Sequence, residues 1–225
     1  MSISAILTSQ FKYYDVGEAR DGLIGEEEQS ISDDLLQAYM DPFYNECRAY
    51  GRLEEANLNG KVAIRCHGYM TFPAEDEEEL VRRFNVRDWN RPSDEYNKIV
   101  SQRQPLRAII KDLVRKDIPM TAKVADKILR DMKRMRRYGI YVGEVYPRNY
   151  MAGLLVDMSV AKTEPYYLFN LRPGFQTELI KMSDLYAWED MRTENELDTT
   201  LRAVRDEEYC GHLRPPRNVG KRNGA

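Results

Sequence analysis

The stretch YGIYVGEVYPRN at residues 138–149, together with LVDM at residues 155–158, decides the fold. Gly139 favours the end of a preceding helix, because glycine adopts the left-handed conformation without steric cost. After it, residues 140–142 and 153–158 predict two short strands that flank a polar loop. The stretch therefore predicts a helix, a loop and a strand in close succession.

Three polar side chains in and after this loop have a recognisable order. Glu144 precedes Asn149 by five residues, and Asp157 falls at the end of the second strand. The order resembles the catalytic core of the protein-kinase superfamily, where a loop acid, an Asn and a later Asp act on a nucleotide and its magnesium ion. The resemblance implies Glu144 in the position of the catalytic base, and Asn149 and Asp157 as catalytic and metal-binding residues.

Segments earlier in the chain fit the same resemblance. Glu46 lies in a predicted helix and resembles the helix Glu that pairs with a strand Lys in kinases. The strands predicted at residues 61–70 and 107–114 resemble the last two strands of the N-terminal lobe. The resemblance implies cofactor binding by Glu46 and by a hinge formed by Lys111, Asp112 and Leu113.

Departures from the kinase pattern predict impaired catalysis. The only lysine before Glu46 is Lys12, and the chain before Lys12 has no Gly-x-Gly-x-x-Gly phosphate loop. Phosphoryl transfer depends on positioning and charge neutralisation, so the loss of both parts is severe. Without its usual lysine, Glu46 is expected either to be solvated or to pair with Arg65 or Lys111, since an unpaired buried charge is costly.

Three motifs point to a narrower family. Residues 41–53 read DPFYNECRAYGRL, residues 89–92 read WNRP, and residues 148–150 read RNY. They resemble fungal kinase-like proteins that are identified as similar to an Fta-type subunit of the Sim kinetochore complex. This resemblance implies a nuclear, centromere-associated interaction role with protein partners among the kinetochore subunits.

The predicted fold class is α+β and protein-kinase-like, with a truncated N-lobe sheet and a mainly helical C-lobe. We expect a remnant N-lobe at residues 1–118, a C-lobe at residues 119–205 and a disordered basic tail at residues 206–225.

Local signals predict where individual helices begin and end. Ser32 and Asp41 are expected to cap two helices, and Gly51 is expected to end the second. Residues 75–79 are expected to be a solvated acidic connection. Two helices are expected near the end of the chain, over residues 179–193 and 194–208.

Charge and composition exclude several classes of function. The chain has 34 Lys and Arg against 37 Asp and Glu, a net charge of -3 that gives no overall attraction to nucleic acid or anionic lipid. In the helix predicted after Pro119, one apolar stripe is formed by Val124, Ile128, Met132 and Met135. The rest of this helix carries a basic run, which favours the solvated face of an amphipathic helix over a nucleic-acid site: Lys127, Arg130, Lys133, Arg134, Arg136 and Arg137. Three cysteines without a Cys-x-x-Cys pair and two histidines fit neither a disulfide framework nor a zinc site.

We therefore expect a pseudokinase-like interaction protein, nuclear or cytoplasmic, with protein partners, no direct contact with nucleic acid and no membrane span. On this reading it has no cofactor. The alternative is an active phosphotransferase that uses Mg²⁺ and ATP and whose N-terminal ATP-binding part is missing from this chain. Whether the protein is an enzyme stays open at this point.

Overall fold

The computed structural model describes residues 14, 16–21, 30–85, 95, 97–114 and 118–204. The helices are α1 (Val16–Asp21), α2 (Asp33–Met40), α3 (Pro42–Glu55), α4 (Ala74–Phe84), α5 (Ala122–Arg136) and α6 (Gly174–Glu194). The strands are β1 (Cys66–Phe72), β2 (Leu106–Lys111), β3 (Ile140–Tyr141), β4 (Tyr150–Met151), β5 (Leu154–Leu155) and β6 (Lys162–Thr163). The protein is mixed α+β, as predicted.

The strands of the described residues form three small antiparallel pairs, β1 with β2, β3 with β6, and β4 with β5. None of the helices in those residues is both long and apolar enough to cross a membrane. The WNRP motif at residues 89–92 and the predicted tail at residues 206–225 lie outside the described residues.

Helices α2 and α3 begin at the two predicted caps. The hydroxyl of Ser32 accepts a hydrogen bond from the Leu35 N–H at 3.4 Å. The Asp41 carboxylate accepts one from the Phe43 N–H at 2.8 Å. Each bond satisfies a backbone donor that the helix itself leaves unpaired, so both predictions are confirmed.

Helix α3 does not end at Gly51, and that prediction was wrong. It continues to Glu55, because Leu53 in its last turn is fully buried. Burial of a leucine outweighs the cost of about 1 kcal/mol for a glycine in a helix interior. The helix ends where Asn57 adopts a φ of 54° and the Leu58 N–H donates to the Leu53 carbonyl at 2.8 Å.

The β1–β2 pair lies between two helices. Phe72 pairs with Leu106, and these side chains pack with Leu80 and Val81 of α4. Residues 75–79, expected to be a solvated connection, lie within α4 instead. Glu77 is only 2% exposed and forms an ion pair with Arg103 at 3.3 Å. Part of this acidic run is therefore buried and paired rather than solvated.

The two strands are shifted from their predicted positions. Residues 61–65 are not part of β1, because Val62 and Ile64 bond to Leu155 of β5 instead, at 3.2 and 2.9 Å. The second strand ends at Lys111 rather than at residue 114. The first shift follows from backbone pairing with a distant part of the chain, which a local apolar pattern does not report.

Helices α5 and α6 contribute to the largest core. Ile128, Met132 and Met135 of α5 are buried, as their helical spacing predicted. The Trp188 indole of α6 donates to the Ala125 carbonyl of α5 at 3.0 Å. This bond satisfies the polar atom of a fully buried tryptophan.

Helix α6 begins at Gly174, five residues before the predicted start at residue 179. The helix predicted over residues 194–208 does not form at residues 195–204. That segment turns back along α6, where the Ala203 N–H donates to the Glu189 carboxylate at 2.6 Å. Tertiary contact with α6 thus overrides the local helical pattern of residues 195–204.

Candidate functional site

The candidate site lies where the end of β2 meets α3 and the segment after β5. Lys111 is the last residue of β2, Glu46 lies in the first half of α3, and residues 156–158 follow β5. The site therefore gathers side chains and backbone from three parts of the chain that are 45 or more residues apart.

A buried ion pair forms the centre of the site. The Lys111 ammonium lies 2.5 Å from the Glu46 carboxylate and donates a second hydrogen bond to the Val156 carbonyl at 2.7 Å. The same Glu46 oxygen accepts the Met158 N–H at 3.2 Å. Both charged side chains are about a tenth exposed, at 11% and 9%. Of the two outcomes expected for Glu46, the pairing with Lys111 is confirmed.

Asp157 adds a second negative charge to this centre. Burial raises the pKa of Glu46, Lys111 opposes the rise, and the nearby charge of Asp157 adds to it. The Asp157 carboxylate also accepts the Ser159 N–H at 2.9 Å. The charge of Asp157 thus acts on the same carboxylate that pairs with Lys111.

Tyr50 covers the same cluster on the α3 side. Its ring centroid lies 5.5 Å from the Lys111 nitrogen, within range of a cation–π interaction. Burial raises the pKa of the Tyr50 hydroxyl, and Glu46 and Asp157 raise it further. The phenol is therefore neutral and acts as an apolar cover over the lysine.

Two further contacts hold α3 against β2 and against the segment after β5. Arg107 of β2 forms an ion pair with the buried Asp41 at 2.8 Å. The Asn45 amide donates to the Ser159 carbonyl at 3.1 Å. Because these contacts tie the first turn of α3 to two different partners, α3 cannot shift without breaking one of them.

The loop that carries Glu144 is anchored from α6 by a residue that the sequence pattern did not single out. The Asp184 carboxylate forms an ion pair with Arg136 at 2.7 Å and accepts the Val142 N–H at 3.2 Å. Asp184 is fully buried, and burial raises its pKa. Asp184 lies one helical turn before the buried Trp188, which places a charge on the apolar face of α6. This spacing is the sequence signal that could have identified it.

The remaining predicted site residues occupy different surroundings. Asn149 is buried at the end of a short 3₁₀ helix, and its carbonyl accepts the Val156 N–H at 2.8 Å, next to Asp157. Glu144 is half-buried in the loop, where its charge raises the pKa of Lys162 against the lowering by burial. The structure therefore links Asn149 to the segment of Asp157 through the backbone.

The predicted hinge residues separate from one another. Lys111 belongs to the buried centre, whereas Asp112 is exposed and contacts His67 at 2.7 Å. The Asp112 N–H donates to the Arg65 carbonyl at 2.9 Å. Leu113 is half-buried after the strand.

The donor set gives limited support for a metal or nucleotide. In the described part of the chain, no group of three or more His, Cys, Asp and Glu side chains could hold a metal ion. A magnesium ion held by one carboxylate, one amide and phosphate oxygens would not need such a group. For Mg-ATP, Asn149 and Asp157 would be the metal ligands, and Lys111 would contact phosphate through the donor that Glu46 and Val156 leave free, or by exchanging one of these acceptors.

The fold and site define a mixed α+β protein with a buried lysine–carboxylate centre between β2, α3 and the segment after β5. Residues 9–162 match the family described as kinetochore Sim4 complex subunit FTA2. Because the match covers more than half of the 225 residues, the chain belongs to this family. No curated protein and no solved structure matches the chain.

Proposed function

We propose that this protein is a non-catalytic interaction subunit of a kinetochore complex, built on a kinase-like scaffold whose nucleotide site is closed by Lys111. Family membership supports association with the kinetochore, and with it a nuclear location and protein partners. The observation that carries the non-catalytic part is the double engagement of the Lys111 ammonium by Glu46 and Val156.

The kinase-like part of the proposal rests on order and proximity. A helix Glu, two antiparallel strands, a long helix, a loop with Glu144 and Asn149, a short hairpin and Asp157 follow one another along the chain. Glu46 lies close enough to Asp157 for their charges to interact. In protein kinases, a Lys–Glu ion pair and the metal-binding Asp must both be in place for phosphoryl transfer.

The loss of catalysis rests on the state of the lysine. An ammonium has three N–H donors, and two of those of Lys111 already bond to protein oxygens. Its side chain is 11% exposed and covered by Tyr50. A nucleotide phosphate would have only the third donor, on a side chain that is 11% exposed, and the printed sequence before Glu46 has no Gly-x-Gly-x-x-Gly motif to compensate.

An aromatic cluster at the start of α3 is our candidate for the partner surface. Tyr69 of β1 is 67% exposed and packs edge-on against Phe43 at 5.9 Å between ring centroids. The Arg107 guanidinium lies over Phe43 and Tyr44 at 4.8 and 5.2 Å. Tyrosine and arginine held rigidly in this way are typical of the residues that dominate protein interfaces.

This cluster lies inside residues 9–162, the part shared with the kinetochore family. The occupant we propose is therefore another subunit of the complex, which would place an apolar side chain against Tyr69 and Phe43. Since Arg107 is already paired with Asp41, it serves to hold the rings in place rather than to bind the partner.

The test compares two equally exposed aromatic residues. Tyr69→Ser is expected to abolish both colocalisation of a fluorescent fusion with a centromere marker and copurification with the other subunits of the complex. Phe175→Ser is the matched control, because Phe175 is also 67% exposed but lies beyond the family match. Centromere localisation that survives Tyr69→Ser would refute the proposed surface, and an unmodified chain absent from centromeres would refute the kinetochore role.

The second candidate function is Mg-ATP-dependent phosphoryl transfer, and one observation favours it. Lys111 supplies Glu46 with the lysine that the N-terminal sequence lacks, beside Asp157. If a nucleotide can displace the Val156 carbonyl from Lys111, the site would regain the lysine that kinases use to hold phosphate. Nucleotide binding separates the two candidates.

A further inference from the structure

Helix α5 carries a row of basic side chains on the side opposite its buried face. They occupy positions i, i+4, i+7, i+11 and i+14, which fall within a sector of about 80° and along a length of about 21 Å on an α-helix. We call this row the basic stripe: Lys123, Lys127, Arg130, Arg134 and Arg137. Arg137 follows the last helical residue and keeps helical backbone angles, with φ −64° and ψ −18°.

Three cations of the basic stripe have no counter-charge among the residues that the structure describes. Lys127 and Arg134 share Asp131, at 2.6 and 3.9 Å. Lys123, Arg130 and Arg137 are exposed and form no ion pair with any residue that the structure describes. The stripe is thus a local excess of positive charge on a chain whose net charge is -3.

The exposed side of α5 is also free of apolar residues. Every exposed residue in the range 122–137 is a lysine or an arginine. A protein partner would need apolar surface at the centre of its interface, and such centres are depleted in charged residues. Interfaces with DNA are instead polar and strongly positive. The composition of this face therefore favours a polyanion over a protein.

We propose that the basic stripe binds the phosphate backbone of double-stranded DNA without reading its sequence. The opposite face of α5 is packed into the core through Ile128 and Met132, so the stripe is the face that α5 can present to DNA, and its Lys and Arg side chains suit phosphate contacts. Its length of about 21 Å corresponds to about six base pairs of B-DNA. Lys133, exposed beside the stripe, adds a further charge.

This inference departs from the sequence-based expectation of a merely solvated helix face. The difference is that the described part of the fold leaves three of these charges exposed and without an ion-pair partner, which the order of residues alone does not reveal. It rests on the surface of α5 and not on the proposed kinetochore role.

The experiment measures binding of the full chain to a fluorescent random-sequence DNA duplex by anisotropy over a series of salt concentrations. With about four phosphate contacts, the logarithm of the association constant should fall against the logarithm of the salt concentration with a slope of about −3 to −4. The triple variant Lys123→Ala/Arg130→Ala/Arg137→Ala should reduce the magnitude of that slope by about three. Alanine favours helix, so the variant should keep its fold, which circular dichroism checks.

The matched control removes the same charge elsewhere. Lys61→Ala/Arg82→Ala/Arg83→Ala changes three exposed basic residues off the stripe and should leave the slope unchanged. The charge-conserving variant Arg130→Lys/Arg137→Lys should bind like the unmodified chain, which keeps the test decisive if the alanine variant is unstable. Binding that is unaffected by the stripe variant would overturn the proposal. The proposal would also be overturned if polyglutamate competed for binding as effectively as unlabelled duplex, because this would indicate an acidic protein partner.

Discussion

Lys111, at the end of β2, holds its ammonium 2.5 Å from the carboxylate of Glu46, which lies 65 residues earlier on α3. This pair joins the helix and the strand whose sequences resemble parts of a kinase N-lobe. The Val156 carbonyl and the Met158 N–H connect the pair to the segment of Asp157. It is the contact on which both the stability of the site and its proposed lack of catalysis depend.

Removal of the lysine should be strongly destabilising. Lys111→Met leaves Glu46 beside Asp157 in a buried place without a cation, and we expect it to lower the free energy of unfolding by about 3–5 kcal/mol, as measured by urea denaturation. Lys61→Met is the control, since Lys61 is exposed, and should change that free energy by less than about 0.5 kcal/mol.

The coupling between the two residues gives a sharper form of the same prediction. In a Glu46→Gln background one buried charge is already gone. The loss of unfolding free energy caused by Lys111→Met should therefore be about 1–3 kcal/mol smaller in this background than in the unmodified chain. Costs that add without coupling would contradict a structural role for the pair.

The pH dependence of stability should follow the raised pKa of Glu46. The folded state keeps this proton at pH values where the unfolded state, with an ordinary pKa of 4.5, has lost it. The corresponding stability is fully present below the unfolded pKa and is lost as the pH rises through the folded pKa. The free energy of unfolding of the unmodified chain, minus that of Glu46→Gln, should therefore fall as the pH rises above 4.5. A difference that rises over this range would mean that the Lys111 charge outweighs burial and Asp157.

Two glycines should respond to alanine in opposite ways. Gly51 lies inside α3 with nothing within 4 Å of an added Cβ, so Gly51→Ala should raise the free energy of unfolding by about 0.5–1 kcal/mol. Gly139 has a φ of 73°, and an added Cβ would lie 2.8 Å from the Glu164 Cβ. Gly139→Ala should therefore cost at least about 1–2 kcal/mol. Thermal or urea unfolding measures both, and a stabilising Gly139→Ala would contradict the turn that leads from α5 into β3.

The sequence predicted the parts of the fold that local chemistry controls. Caps such as Ser32 and Asp41 and the buried spacing of α5 depend on neighbouring residues, and the structure confirms them. The ends of α3 and β1 depend on burial of Leu53 and on pairing of Val62 with Leu155, and those predictions failed. Periodicity reports which face of an element is apolar, but not which distant strand will pair with it.

The candidate site likewise has parts that the sequence predicted and parts that depend on packing. Lys111 was among two cations named for Glu46, because a buried carboxylate requires a partner, but its choice over Arg65 depends on the position of β2 beside α3. The Asp184–Arg136 pair was not predicted, since Arg136 looked like one more residue of a solvated basic run. Only the packing of α6 against α5 shows that this arginine points inward.

The central claim is that Lys111 closes the nucleotide site, and a calorimetric titration of the purified chain with ATP and Mg²⁺ tests it most directly. The titration should be repeated with Asp157→Ala and with Lys61→Met as a surface control. The account predicts no saturable heat for any of the three proteins. A low-micromolar dissociation constant that Asp157→Ala abolishes and Lys61→Met leaves unchanged would contradict it and favour a working phosphotransferase.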